Sequence, residues 1–104
     1  MPPRSSRTFR LEDAPVLRTP RAKAALRTVA DTGGLISRNV VVDGHRTSLR
    51  LERMVWDTLE TIATREGLDL NAVVTSIAAT KQPEASLSSA ARIFVAAYFG
   101  PGDR

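Results

Sequence analysis

The stretch that decides the fold is VVVDGHRTSLRLE, residues 40–52. Valine is β-branched and suits strands, and Asp43-Gly44 is the kind of pair that tolerates the positive φ angles of a two-residue hairpin turn. From His45 to Glu52 polar and apolar residues alternate, as they do in a strand with one buried face. The stretch therefore predicts a β-hairpin.

The second strand of this hairpin has two chemically different faces, because successive side chains point to opposite sides of a strand. One face carries Thr47, Leu49 and Leu51, and the other carries Arg46, Ser48, Arg50 and Glu52. A two-residue turn at Asp43-Gly44 also predicts the register of the first strand. Its expected pairs are Val41 with Arg46, Asn39 with Ser48 and Ser37 with Arg50 on the polar face, and Val40 with Thr47 on the buried face.

Three helices are predicted after the hairpin, because the apolar spacing lengthens to that of a helix beyond Glu52. The first helix ends at Gly67, the second is capped by Asp69, and the third begins at Ser86 or Ser88. The residues expected to face inward are, helix by helix, Val55, Trp56, Leu59, Ile62 and Ala63; Leu70, Val73, Val74, Ile77 and Ala78; and Leu87, Ala90, Ile93, Phe94 and Ala97. The fold class predicted is mainly α with a short β-hairpin.

The hairpin and the helices after it resemble the bacterial ribbon-helix-helix family of MetJ/Arc type. The likeness is closest to one subgroup, through GHRTSLRLE at residues 44–52 followed by Trp56, and through LSSAARIFV at residues 87–95. It covers about residues 37 to 97. The resemblance implies a ribbon-helix-helix fold with a third C-terminal helix, as an intertwined homodimer whose antiparallel ribbon enters the major groove of DNA.

The resemblance also implies which side chains touch bases. The groove-facing positions are Arg46, Ser48 and Arg50, and an arginine can bond O6 and N7 of a guanine together. Asn39 shares their face across the hairpin and would join the base contacts. Two alternatives stay open at this point: the arginines only solvate a sheet face, or the first strand only widens the sheet.

Phosphate contacts are implied at the start of the second helix, where backbone N–H groups and the helix dipole favour an anion. The positions here are Leu70 and Asn71. The chain departs from the family pattern at Asp69, whose carboxylate would stand beside the phosphate, so the Asn71 side chain is an alternative anchor. Arg53 and Arg38 are supplementary phosphate contacts, or free surface arginines.

The positive charge is concentrated at the start of the chain. The 104 residues hold fifteen Lys+Arg and eleven Asp+Glu, a net charge of +4, and residues 1–38 alone hold eight cations and three anions. We expect residues 1–36 to be a basic, largely flexible arm with a short helix at residues 20–31. Residues 37–99 form the folded domain and residues 100–104 a flexible tail. The alternative for the arm is a solubilising tail without a partner.

Several classes of protein are excluded by what the chain lacks. There is no cysteine, hence no disulfide scaffold and no thiolate site. The single histidine, His45, cannot supply a metal cage, and no nucleophile is paired with it, so we expect neither an enzyme nor a cofactor. The longest apolar run, residues 93–99, is too short to cross a bilayer. We expect a cytoplasmic protein without a membrane partner.

Two functions remain. The first is a sequence-specific DNA-binding protein, a transcriptional regulator, that acts as a homodimer because a domain of this size has a small core of its own. Its partners are double-stranded DNA and a second copy. The alternative is an antitoxin-like or adaptor protein that presents residues 1–34 or the third helix to a protein partner.

Overall fold

The computed structural model describes residues 16–100. Its elements are, in chain order, α1 (Pro20–Asp31), β1 (Leu35–Val42), β2 (His45–Glu52), α2 (Arg53–Glu66), α3 (Leu70–Thr80) and α4 (Leu87–Tyr98). They form two compact units, of which the first ends at Asp31 and the second begins at Thr32. We expect the arm and the tail to be flexible. Residues 1–15 of the arm and residues 101–104 of the tail lie outside the described part of the chain.

The described part of the first unit, residues 16–31, contains α1, over the segment for which the sequence predicts a helix. Its start is capped by Thr19, whose Oγ1 accepts a hydrogen bond from the N–H of Ala22 at 3.0 Å. No residue of α1 is buried. Packing among the described residues of this unit therefore does not explain the helix.

The second unit begins with the predicted hairpin. β1 and β2 are antiparallel, and the register predicted from the turn is confirmed at all four pairs. Asp43 and Gly44 have φ angles of 51° and 81°, which is the left-handed conformation that this turn requires at both positions. β1 begins at Leu35, two residues before the expected start of the domain. The fold class, mainly α with a short β-hairpin, is confirmed.

One face of the hairpin and three helices enclose the core. The buried strand residues are Val40, Leu49 and Leu51, as the alternating pattern predicts. The helices contribute Trp56, Leu59, Ile62, Ala63, Val73, Val74, Ile77 and Ala91. The hairpin is thus half-buried, and its other face is left to solvent.

Local signals determine where the helices end, as predicted. Gly67 closes α2 with a φ of 71°. The Asp69 carboxylate accepts from the N–H of Ala72 at 2.8 Å at the start of α3, and the Ser86 hydroxyl accepts from the N–H of Ser89 at 3.0 Å at the start of α4.

The rotation of α4 differs from the prediction. Ile93 is 65% exposed and Ala97 is also exposed, whereas Ala91 is fully buried. Two polar residues hold the helix in this orientation: Ser88 donates to the carbonyl of Arg50, and Arg92 pairs with Glu52. The prediction for Ile93 and Ala97 was wrong because it used the spacing of apolar residues alone. The polar contacts of Ser88 and Arg92 cannot be recognised from that spacing.

Candidate nucleic-acid interface

The solvent side of the hairpin brings together the residues predicted to contact bases. We call it the ribbon face; its residues are Ser37, Asn39 and Val41 of β1 and Arg46, Ser48 and Arg50 of β2. All six are exposed. Glu52, the last residue of β2 on this side, is paired with Arg92 of α4, so the two exposed arginines give this face a positive charge.

The ribbon face has a polar centre between two guanidinium groups. Arg46 and Arg50 are four residues apart, about 13 Å along a strand that rises about 3.3 Å per residue. Between them the hydroxyls of Ser48 and Ser37 are 2.9 Å apart, and Asn39 lies directly opposite Ser48. The face therefore offers donors and acceptors between two positive charges.

Glu52 is the one acidic residue of β2, and its charge is matched by an arginine of α4. The Nε and Nη2 atoms of Arg92 donate to the Glu52 carboxylate at 3.0 and 3.2 Å. This two-point contact lowers the pKa of the Glu52 carboxyl below its usual value of 4.5. The negative charge at the end of the strand is therefore partly compensated. Arg92 was not predicted as part of the site, because its only signal is its place in the 87–95 run.

The start of α3 is bound to the hairpin. The side-chain oxygen of Asn71 accepts from the N–H of Val41 at 3.0 Å. Thr75, one turn further on, accepts from the N–H of Asp43 at 3.2 Å and donates to the Val41 carbonyl at 3.4 Å. These contacts place the α3 N-terminus beside β1 and the turn. Thr75 was not predicted as part of the site, because threonine in a helix has no distinctive pattern.

The backbone N–H groups of Leu70 and Asn71 have no acceptor among residues 16–100. They are the first two of α3, where a helix leaves its N–H groups free and its dipole is positive. The Asp69 carboxylate occupies the N–H of Ala72 just beyond them. The site can accept an anion, but with a negative charge next to it.

Arg53 and Arg38 lie in different surroundings. Arg53 is the exposed first residue of α2 and forms no ion pair within the described part of the chain. Arg38 lies on the other side of β1 from the ribbon face, with Nη2 at 3.0 Å from the Glu60 carboxylate and its guanidinium 4.7 Å from the centre of the Trp56 ring. Arg38 therefore already has intramolecular partners.

The outer edge of β2 is open over most of its length. The backbone N–H of Val41 points away from β2, towards Asn71. In an antiparallel pair, the backbone groups of its partner Arg46 then point away from β1. By alternation, the same holds for Ser48 and Arg50. Among residues 16–100, only the Ser88 hydroxyl contacts this edge, at 3.4 Å from the Arg50 carbonyl. For residues 16–100, the remaining groups of this edge are unpaired and exposed to a second strand.

The described residues offer neither a metal site nor a membrane-spanning helix. Residues 16–100 contain no group of three or more His, Cys, Asp and Glu side chains that could hold a metal ion. None of the helices in that range is both long enough and apolar enough to span a membrane.

An antiparallel hairpin with an exposed cationic face, backed by helices, defines a class of small domains that place a two-stranded ribbon against a partner. Residues 35–99 match the family model of the ribbon-helix-helix domain, and the chain belongs to that family. Domains of this family bind DNA and are usually dimeric. No curated protein and no solved structure matches the chain.

Proposed function

We propose that this protein is a sequence-specific, cytoplasmic regulator of transcription that inserts the ribbon face into the major groove of DNA. The observation that carries the proposal is the joint exposure of Arg46 and Arg50 on one side of β2, where the single carboxylate, Glu52, is paired with Arg92. A two-stranded ribbon fits a groove about 12 Å wide.

Base recognition follows from the chemistry of that face. Each arginine can bond O6 and N7 of one guanine, and the Asn39 amide can bond N6 and N7 of one adenine. Ser48 bonds either base type, since its hydroxyl both donates and accepts. Asn39 joins the proposed readout because it lies opposite Ser48, on the same face.

Phosphate contacts position the ribbon on the duplex. The proposed anchors are the N–H groups of Leu70 and Asn71, with exposed Arg53 as a further contact. Arg38 is the weakest candidate of the four, because it would have to leave Glu60 and Trp56 to reach a phosphate.

The proposed active form is a homodimer in which the open edge of β2 pairs with the same edge of a second copy about a two-fold axis. This pairing places the two β2 strands side by side at the two-fold axis as the antiparallel ribbon that enters the groove, with one β1 strand flanking it on each side. It is supported by the unpaired backbone groups of Arg46 and Ser48, and by the small core that a domain of this length can build alone.

Selection of bound fragments from sheared genomic DNA, at two salt concentrations, tests the proposal. We expect a recurrent sequence, bound better than unrelated DNA. Arg46→Ala and Arg50→Ala should each reduce that preference by roughly fivefold or more, since each bidentate contact contributes about 1–3 kcal/mol of discrimination, or about 5- to 150-fold, and the dimer loses two of them. Arg53→Ala should weaken all sequences equally.

Arg65→Ala is the matched control, because Arg65 lies on α2, with its guanidinium 5.4 Å from the centre of the Phe99 ring. It should leave both affinity and preference unchanged. An Arg46→Ala, Arg50→Ala double variant that stays folded and keeps the full preference would contradict the assignment of the ribbon face.

A further inference from the structure

The helix α1 has an apolar stripe that its own unit does not bury. At about 100° per residue, Ala22, Ala25, Leu26 and Val29 fall on one side of the helix. Leu26 is 50% and Val29 71% exposed. A helix of twelve residues is marginal in water by itself. The stripe therefore provides a surface whose burial would stabilise α1.

Cations border this stripe. By the same geometry Arg21 lies about 40° beyond Ala25 on one side, and Lys23 about 60° beyond Leu26 on the other. With Arg18 and Arg27, residues 16–31 hold four cations against one anion, Asp31. The segment thus combines a narrow apolar strip with a positive border, and only an apolar surface with acidic edges complements both features.

We infer that α1 is a docking helix for a protein partner whose groove has an apolar floor and a carboxylate-bearing rim. Val29 and Leu26 enter the groove, and Arg21 and Lys23 meet the carboxylates at its two edges. This is the helix-in-groove mode of recognition, in which apolar anchors recur at i, i+3, i+4 and i+7. It is a second binding function, separate from the ribbon face.

Three other occupants fit the helix less well. A second copy of α1 would bring like charges together on both sides of the stripe. A membrane surface is met by helices with broad faces rich in Trp, Phe and Leu, whereas this stripe has two bulky residues and no aromatic one. The phosphates of DNA would engage the cations but would leave the apolar stripe unused.

The first step of the test captures the partner in the native cell. Photoreactive benzoylphenylalanine replaces Val29 in the full chain, and in a matched control it replaces Ala24, which lies on the opposite side of α1 and is exposed. We expect a protein adduct from position 29 that resists nuclease and is absent from position 24. Equal adducts from both positions, or adducts that nuclease removes, would overturn the inference.

The second step measures binding of the captured protein, once purified, to the full chain. Val29→Asp and the charge reversal Arg21→Glu with Lys23→Glu should each weaken binding by about tenfold or more, because each removes one of the two complementary features. Ala24→Asp should change it less than about twofold. Val29→Leu should retain binding, because it keeps an apolar anchor. Together with Ala24→Asp, it separates loss of the anchor from loss of the helix.

Two controls separate this inference from the proposed DNA-binding function. Val29→Asp should leave DNA affinity unchanged, and Arg46→Ala should leave binding of the captured protein unchanged. Vesicles of phosphatidylcholine and phosphatidylglycerol test the membrane alternative. Binding of wild type to these vesicles with loss in Val29→Asp, or a captured protein that binds wild type and Val29→Asp equally, would disprove docking to a protein groove.

Discussion

The side-chain oxygen of Asn71 accepts a hydrogen bond from the backbone N–H of Val41 at 3.0 Å. This bond joins the first turn of α3 to the turn end of β1, thirty residues earlier in the chain. It therefore fixes the distance between the free N–H groups of α3 and the ribbon face. In the proposed complex, the N–H groups of α3 contact a phosphate and the ribbon face contacts bases.

Substitutions of Asn71 should separate its two roles. Asn71→Ala leaves the Val41 N–H without its acceptor and should lower the free energy of unfolding by about 1 kcal/mol in urea denaturation. Asn71→Asp keeps an acceptor but adds a carboxylate beside the proposed phosphate. It should therefore unfold close to wild type and bind DNA more weakly in fluorescence anisotropy. Wild-type DNA affinity in Asn71→Asp would remove the α3 anchor from the proposal.

The pair of Glu52 and Arg92 predicts a particular acid dependence of stability. The folded-state pKa of the Glu52 carboxyl is lowered, chiefly by its hydrogen bonds to Arg92, so the ionised form is stabilised in the native state. This contribution is present above the unfolded value of about 4.5 and is lost as the pH falls through the lower folded value.

Urea unfolding at pH 6, 4 and 3 measures this effect. Glu52→Gln and Arg92→Ala should both be less stable than wild type at pH 6 and approach it at pH 3. Glu84→Gln, at an exposed carboxylate in the loop before α4, is the control and should follow wild type throughout. A constant difference between Glu52→Gln and wild type at all three pH values would refute the assignment.

Trp56 should contribute to stability through two identifiable contacts. Its Nε1 donates to the Ile36 carbonyl at 2.9 Å, and its ring lies under the guanidinium of Arg38. Trp56→Phe should destabilise the fold by about 2 kcal/mol, from the lost hydrogen bond and the space left in the core. In a double-mutant cycle with Arg38→Met, the coupling should be about 0.5–1 kcal/mol. Strict additivity would show that the ring and guanidinium do not interact.

Proline at Ser48 should separate dimerisation from folding. The N–H of Ser48 points to the open edge of β2, so Ser48→Pro removes a donor for the second copy while the ladder to β1 keeps its bonds. We expect a folded monomer in sedimentation velocity. Thr47→Pro, which removes a bond inside the hairpin, should instead lose structure by circular dichroism. A Ser48→Pro dimer would place the contact between copies elsewhere.

Much of the fold is predictable because its signals are local. The turn at Asp43-Gly44 determines the register through the φ angles that two residues adopt, and the alternation after it determines which face is buried. Gly67, Asp69 and Ser86 mark helix ends because each acts on backbone groups within a few residues. The exposure of Arg46, Ser48 and Arg50 on one face follows from the same alternation.

The contacts that build the candidate interface were decided by the tertiary structure. Asn71 and Thr75 bind the hairpin, and Arg92 compensates Glu52. Arg38 contacts Glu60 and Trp56. Every one of these contacts joins residues at least eighteen positions apart. Periodicity and turn chemistry act over a few residues, whereas these bonds form only after the helices pack against the sheet. The sequence by itself therefore determined the elements and the polarity of their faces, while packing determined which polar groups meet and how α4 is rotated.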